Sequence, residues 1–141
     1  MTGVQTCALP ISVLDAYATA LTEDEGIDFE KATATGALAV VDGPGTTVEE
    51  GLAFWERRLW KAVDDGAEVI RLVGEMACER EFFASEAEMM RYELAFNGIA
   101  KRFPTVSLCQ YDVREFRGEI VFDAFKAHPD VYDQQVGIFL S

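Results

Sequence analysis

Between Thr47 and Phe103 the chain carries two separate runs in which apolar residues recur every three or four positions. Val48, Leu52, Trp55, Leu59 and Val63 form the first, and Met89, Tyr92, Phe96, Ile99 and Phe103 the second. That spacing lines apolar side chains along one stripe of an α-helix. Each run opens on a capping signal, Thr47 with Glu50 and Ser85 with Glu88. The hydroxyl takes a backbone N–H of the first turn and the Glu reaches back to the cap. Asp64-Asp65-Gly66 ends the first helix and Pro104 closes the second. A compact apolar run at 37–41 and short, mainly apolar stretches at 69–73 and 106–111 predict strands, the first leading into the Asp42-Gly43-Pro44-Gly45 loop. Ile120, Val121, Ala124 and Phe125 mark a third helix ending before Pro129, and 136–140 a last strand. Upstream, short helices are expected over 12–21 and 28–34, with Gly36 stopping the latter. Strands alternating with amphipathic helices predict an α/β fold, its mostly parallel sheet covered by helices on both faces.

Residues 2–11, Thr-Gly-Val-Gln-Thr-Cys-Ala-Leu-Pro-Ile, match one reading frame of a common short-read sequencing adapter. Residues 1–12 are therefore read as an adapter-derived, non-native segment, and 13–141 as a domain truncated at its N-terminus. Such a segment is set aside in fold reasoning, which removes Cys7 from the cysteine count. Cys78 and Cys109 remain, with no CxxC and no close Cys/His spacing. That pattern argues against a disulfide scaffold and a structural zinc site, and for a reducing compartment.

At 141 residues, 50% hydrophobic and 26% charged, the chain can build one packed domain. Twelve basic against 25 acidic residues give a net charge of −13, which repels phosphate backbones and anionic membranes. No apolar run approaches the roughly 18 residues of a membrane span, and no basic n-region stands before an apolar stretch as in a secretory signal. A cytoplasmic protein without direct nucleic-acid or membrane contact is expected.

In open α/β sheets ligands sit beyond the carboxyl ends of the strands. The residues there are Asp42-Gly43-Pro44-Gly45, Gly74-Glu75-Met76 and Cys109-Gln110-Tyr111-Asp112. Each has a plainer alternative. Glu75 reads equally as a cap, Cys109 as a small core residue, and Tyr111 as a packing residue with a tethered hydroxyl. His128, the single histidine, reads as a helix C-terminal cation. There is no GxxxxGK(S/T) loop, GxGxxG, GxSxG elbow or HExxH, so neither catalysis nor a cofactor is assigned.

Arg71-Leu72-Val73-Gly74-Glu75-Met76, Arg91-Tyr92-Glu93, Leu108-Cys109-Gln110-Tyr111-Asp112 and Ala127-His128-Pro129 stand in an order and spacing that resemble the MEDS family, the methanogen/methylotroph sensory domain. Gly26-Ile27-Asp28 followed by Gly36-Ala37-Leu38 resembles the segment leading into that family's central strand. The resemblance implies a RecA-like, P-loop-related architecture without a phosphate loop, used as a small-molecule sensor in prokaryotic signal transduction. The implied ligand is a hydrocarbon derivative. The implied partners are histidine-kinase, PAS-type or DNA-binding output modules, in cis or in trans. Matched positions make Glu75, Glu93, Cys109, Tyr111, Asp112 and His128 the ligand-binding candidates. Ala77 and Cys78 stand where members often carry Trp, and the family's opening strand, usually bearing a histidine, falls where the adapter-like segment lies. A degenerate RecA-like nucleotide-binding ATPase and a protein-interaction module of a signalling switch are the alternative functions.

Overall fold

The computed structural model describes residues 11–41 and 43–128, with side chains from Asp15 onward. The expected strand at 136–140, Asp42 and the adapter-like residues 1–10 lie outside the described residues. In chain order the elements are α1 (Ile11–Glu23), α2 (Phe29–Ala34), α3 (Val48–Asp64), β1 (Ile70–Glu75), α4 (Met76–Glu79), a 3₁₀ turn at Arg80–Phe82, α5 (Glu86–Ala100), β2 (Thr105–Gln110) and α6 (Gly118–Ala127).

The helix starts follow the capping chemistry. Asp28 Oδ1 accepts from Lys31 N at 2.9 Å, Thr47 Oγ1 from Glu50 N at 3.2 Å, and Ser85 Oγ from Glu88 N at 3.2 Å. In α3 the carboxylate of Glu50 reaches back one residue further than the expected box, to Thr46 N and Thr46 Oγ1, each at 3.0 Å. Thr47→Ala and Ser85→Ala are each expected to cost about 1 kcal/mol, read as a lower urea midpoint with an unchanged m-value.

β1 and β2 pair in parallel, in the register Ile70↔Thr105, Leu72↔Ser107 and Gly74↔Cys109. Alternation along a strand puts Ile70, Leu72 and Gly74 on one face, with Thr105, Ser107 and Cys109 beside them. That face meets the helical layer, in which α5 packs against both α3 and α6. One core cluster joins Trp55 and Leu59 of α3, Ile70 and Leu72 of β1, Met89, Tyr92 and Phe96 of α5, and Ile120 and Ala124 of α6.

Two expectations need correction. Residues 37–41 form no strand, and the sheet among the described residues has two strands. The segment folds back on α2 instead: Leu38 N donates to Ala32 O at 3.0 Å, and Leu38 and Val41 are buried as plugs from a loop. An apolar run reports that side chains are buried; it does not supply the neighbour whose carbonyls a strand needs. Among the described residues, helices also do not cover both faces of the sheet. Its outward face meets Tyr17 of α1, whose hydroxyl bonds Gln110 Oε1, while Val106 and Leu108 remain 61% and 52% exposed.

α5 ends at Ala100, before the expected limit at Pro104. Phe103 lies in the following turn, where its N donates to Ala100 O at 3.1 Å and its ring still enters the core. No helix among the described residues is long and apolar enough to cross a membrane.

Candidate functional site

Four of the six expected site residues converge where β2 leaves the sheet. Cys109 is an inward-facing residue near the end of β2, and Tyr111 follows the strand. Glu93 lies on α5 one position after Tyr92, so the two point about 100° apart around the helix. Tyr92 is held by Trp55 of α3, whose Nε1 donates to its hydroxyl at 2.7 Å. Glu93 is turned towards β2 and α6, where its side chain is only 3% exposed. His128 caps the C-terminus of α6.

The ligating atoms of Glu93, Cys109 and His128 all lie within 4.8 Å of one another. His128 Nε2 stands 3.1 Å from Glu93 Oε2, an ion pair when the ring is protonated, and Oε2 is buried with no other hydrogen-bond partner. The other ring nitrogen, Nδ1, lies 2.8 Å from the carbonyl of Ala124. A carbonyl only accepts, so Nδ1 carries a proton there and Nε2 is the atom turned to the carboxylate.

The electrostatics follow from burial. The Glu93 carboxylate beside it raises the pKa of His128, against the opposing pull of desolvation. Burial, reinforced by Glu93 and Glu79, pushes the Cys109 thiol well above its ordinary value. The Tyr111 phenol is pushed up for the same reasons, burial first and Glu93 next, and its hydroxyl faces Met90 Sδ at 3.7 Å. Metal-free, this corner is a pocket of neutral thiol and phenol around a carboxylate and an imidazole that favours its charged form.

Glu79 is the residue that sequence reasoning missed. It is 2% exposed, and with Glu93, Cys109 and Ser107 it lines a cavity of about 10 Å³. Gly74, opposite Cys109 in the register, lines the same cavity; a Cβ there would stand 3.7 Å from Glu79 Oε1. A Glu four positions beyond a strand carries no periodic signal and reads as solvated, so nothing local marked it.

Glu75 and Asp112 are not gathered into this corner. The Glu75 carboxylate caps α4, accepting from Ala77 N at 3.2 Å and Cys78 N at 2.8 Å. Asp112 clamps Arg114 at the surface, with oxygens 2.9 Å from Nε and 2.6 Å from Nη2, and that guanidinium lowers its pKa to about 2. A wider hollow of about 760 Å³ lies between α1 and α2, lined by Asp15, Thr22, Asp28 and Phe29 among others; none of the expected site residues borders it.

A family model described as MEDS, the methanogen/methylotroph, DcmR sensory domain, matches residues 7–129, beginning within the adapter-like stretch. The chain belongs to the MEDS family. Within 78 residues this MEDS domain is 44% identical to the transcriptional repressor DcmR of Methylorubrum extorquens (strain DSM 6343 / CIP 106787 / DM4). The match covers 55% of the chain and 29% of the repressor. No solved structure matches the MEDS domain described here. Membership supports a sensory role in signalling for the domain.

Proposed function

We propose that this MEDS domain is the small-molecule sensor of a prokaryotic signal-transduction protein, with hydrocarbon derivatives as its ligand class and a DNA-binding module as its output. The observation that carries the reading is the gathering of Glu93, Cys109, Tyr111 and His128 in a member of a sensory family, at the strand end where α/β proteins bind ligands. The repressor relative supports the DNA-binding output. A RecA-like architecture without a phosphate loop belongs to the same proposal and rests on the family resemblance and the parallel β1–β2 pair.

Organic ligand pockets commonly measure about 300–1,000 Å³. The cavity at this corner, about 10 Å³, holds roughly one water molecule. Ligand entry therefore requires the corner to open. His128 terminates α6 and Glu93 belongs to α5, so the α5–α6 contact, where Asn97 Nδ2 bonds Ala127 O, is the natural seam. A ligand that binds only the opened form shifts the population towards it, and such a shift can reach an attached output module.

Thermal-shift measurements with short alcohols, amines, thiols and carboxylates test the reading. A stabilising compound is expected whose shift falls at least by half in Tyr111→Phe and His128→Gln, while ligand-free melting changes by much less. If no compound shifts the wild type and both variants melt early without ligand, these residues are packing and the sensory corner is refuted. A shift with ATP and magnesium alone supports the nucleotide-binding alternative.

A further inference from the structure

The Glu93–Cys109–His128 corner combines four features that a buried Glu–His ion pair does not need. First, a thiol, an imidazole nitrogen and a carboxylate oxygen come from β2, the end of α6 and α5, with all three atoms inside 4.8 Å. Second, Glu93 Oε2 is buried 3.1 Å from His128 Nε2, an ion pair when the ring is protonated and a carboxylate oxygen without a hydrogen bond when it is not. Buried carboxylate oxygens left unbonded are costly, and each asks for an explanation such as an absent ion. Third, the bond from Nδ1 of His128 to the Ala124 carbonyl leaves Nε2 as the nitrogen facing the carboxylate. A proton on Nε2 or a cation between the two atoms satisfies that pair, so a metal ion competes with the proton for the same lone pair. The same outer bond fixes tautomer and ring orientation in most histidine metal sites. Fourth, a second buried carboxylate, Glu79, borders the adjoining cavity.

We propose that Glu93, Cys109 and His128 hold one divalent transition-metal ion, with zinc the best chemical fit. Sulfur, nitrogen and oxygen together suit a borderline-soft ion; magnesium and calcium prefer oxygen alone. A tetrahedral zinc with bonds of about 2.0–2.3 Å sets its donors about 3.3–3.6 Å apart, so the corner must contract by about 1 Å, within reach of side-chain rotation. Three protein donors leave a fourth position open for water or a small donor molecule. On binding, the Cys109 thiol gives up its proton to solvent, and so does any imidazolium form of His128. The inference goes beyond the sensory reading and stands without it, because it concerns the ion and not an organic ligand.

Cobalt(II) is the probe, used with the full 141-residue chain after chelator treatment. One equivalent is expected to give a thiolate-to-cobalt charge-transfer band together with the visible bands of tetrahedral cobalt, and zinc should displace both. Cys109→Ser should abolish the charge-transfer band; Glu93→Gln and His128→Gln should weaken cobalt binding at least tenfold. Cys7→Ser and Cys78→Ser should leave the spectrum unchanged. Zinc should also raise the melting temperature of the wild type but not of Cys109→Ser. Absence of a charge-transfer band in the wild type overturns the proposal, whatever the folding of the variants. So does a band that follows Cys7 or Cys78, or a zinc-induced shift that survives in all three site variants.

Discussion

Trp55→Ala is expected to remove about 3–5 kcal/mol of stability, a large share of the 5–15 kcal/mol typical of a domain. Trp55 is 3% exposed and meets Phe54 and Phe96 edge-on at 5.1 and 6.0 Å. Its Nε1 also supplies the hydrogen bond to Tyr92, which is itself 2% exposed. The substitution thus empties core volume and strips a buried hydroxyl of its donor. Trp55→Phe separates the two effects. It retains most of the ring, and its expected cost of about 1–3 kcal/mol is that of the unpaired Tyr92 hydroxyl together with a small cavity. Guanidinium titration checks both values. A loss below about 1 kcal/mol for Trp55→Ala would mean that α3 does not share one cooperative core with α5.

Gly51 gives the second large effect, and there the sign depends on which of two terms wins. A glycine inside a helix is worth about 1 kcal/mol less than alanine, so propensity favours Gly51→Ala. A Cβ at this position, however, would lie 2.8 Å from Cε2 and 3.1 Å from Cδ2 of Tyr92. That ring cannot swing aside, because Trp55 holds its hydroxyl and Phe83 and Phe96 flank it at 5.0 and 6.0 Å. Overpacking of this kind costs about 1–3 kcal/mol, so it should outweigh propensity for alanine. Gly51→Val is expected to cost about 3 kcal/mol, since a branched side chain adds both bulk and helix penalty. In a Tyr92→Leu background the obstructing ring is gone, and Gly51→Ala should become neutral or stabilising. Additive costs in that double-mutant cycle would place the clash elsewhere.

Both effects reach the candidate site. Tyr92 and Glu93 are consecutive, so the Gly51–Trp55–Tyr92 contact sets the rotation of α5 and with it the direction in which Glu93 points. The packing that stabilises the domain is thereby also what aims its buried carboxylate.

The elements most legible in the sequence were those coded within one or two turns of chain. The stripes of α3 and α5 and the caps at Thr47 and Ser85 each depend on neighbours a few residues away, while the strands near 70 and 106 were marked by their apolar residues and are completed by pairing with each other. Residues 37–41 misled for a physical reason: apolar side chains specify burial, whereas a strand is specified by its partner, which lies elsewhere in the chain. Glu75 was visible as a strand-end carboxylate, and the structure uses it as a cap, the plainer of its two readings.

The site divides along the same line. The sequence by itself determined which residue types were available and, through the ordered motifs, the MEDS family; it offered Glu75, Glu93, Cys109, Tyr111, Asp112 and His128 as candidates without separating them. It argued against zinc, because no cysteine and histidine stand close along the chain. Only the tertiary structure could bring Glu93 from α5, Cys109 from β2 and His128 from the end of α6 within 4.8 Å. It alone added Glu79, set Glu93 Oε2 against His128 Nε2, and turned that nitrogen inward through the Ala124 carbonyl. Periodicity and capping are local, decided by side chains a turn apart. Convergence of three elements is decided by how their apolar faces pack, and that information is distributed over the whole core.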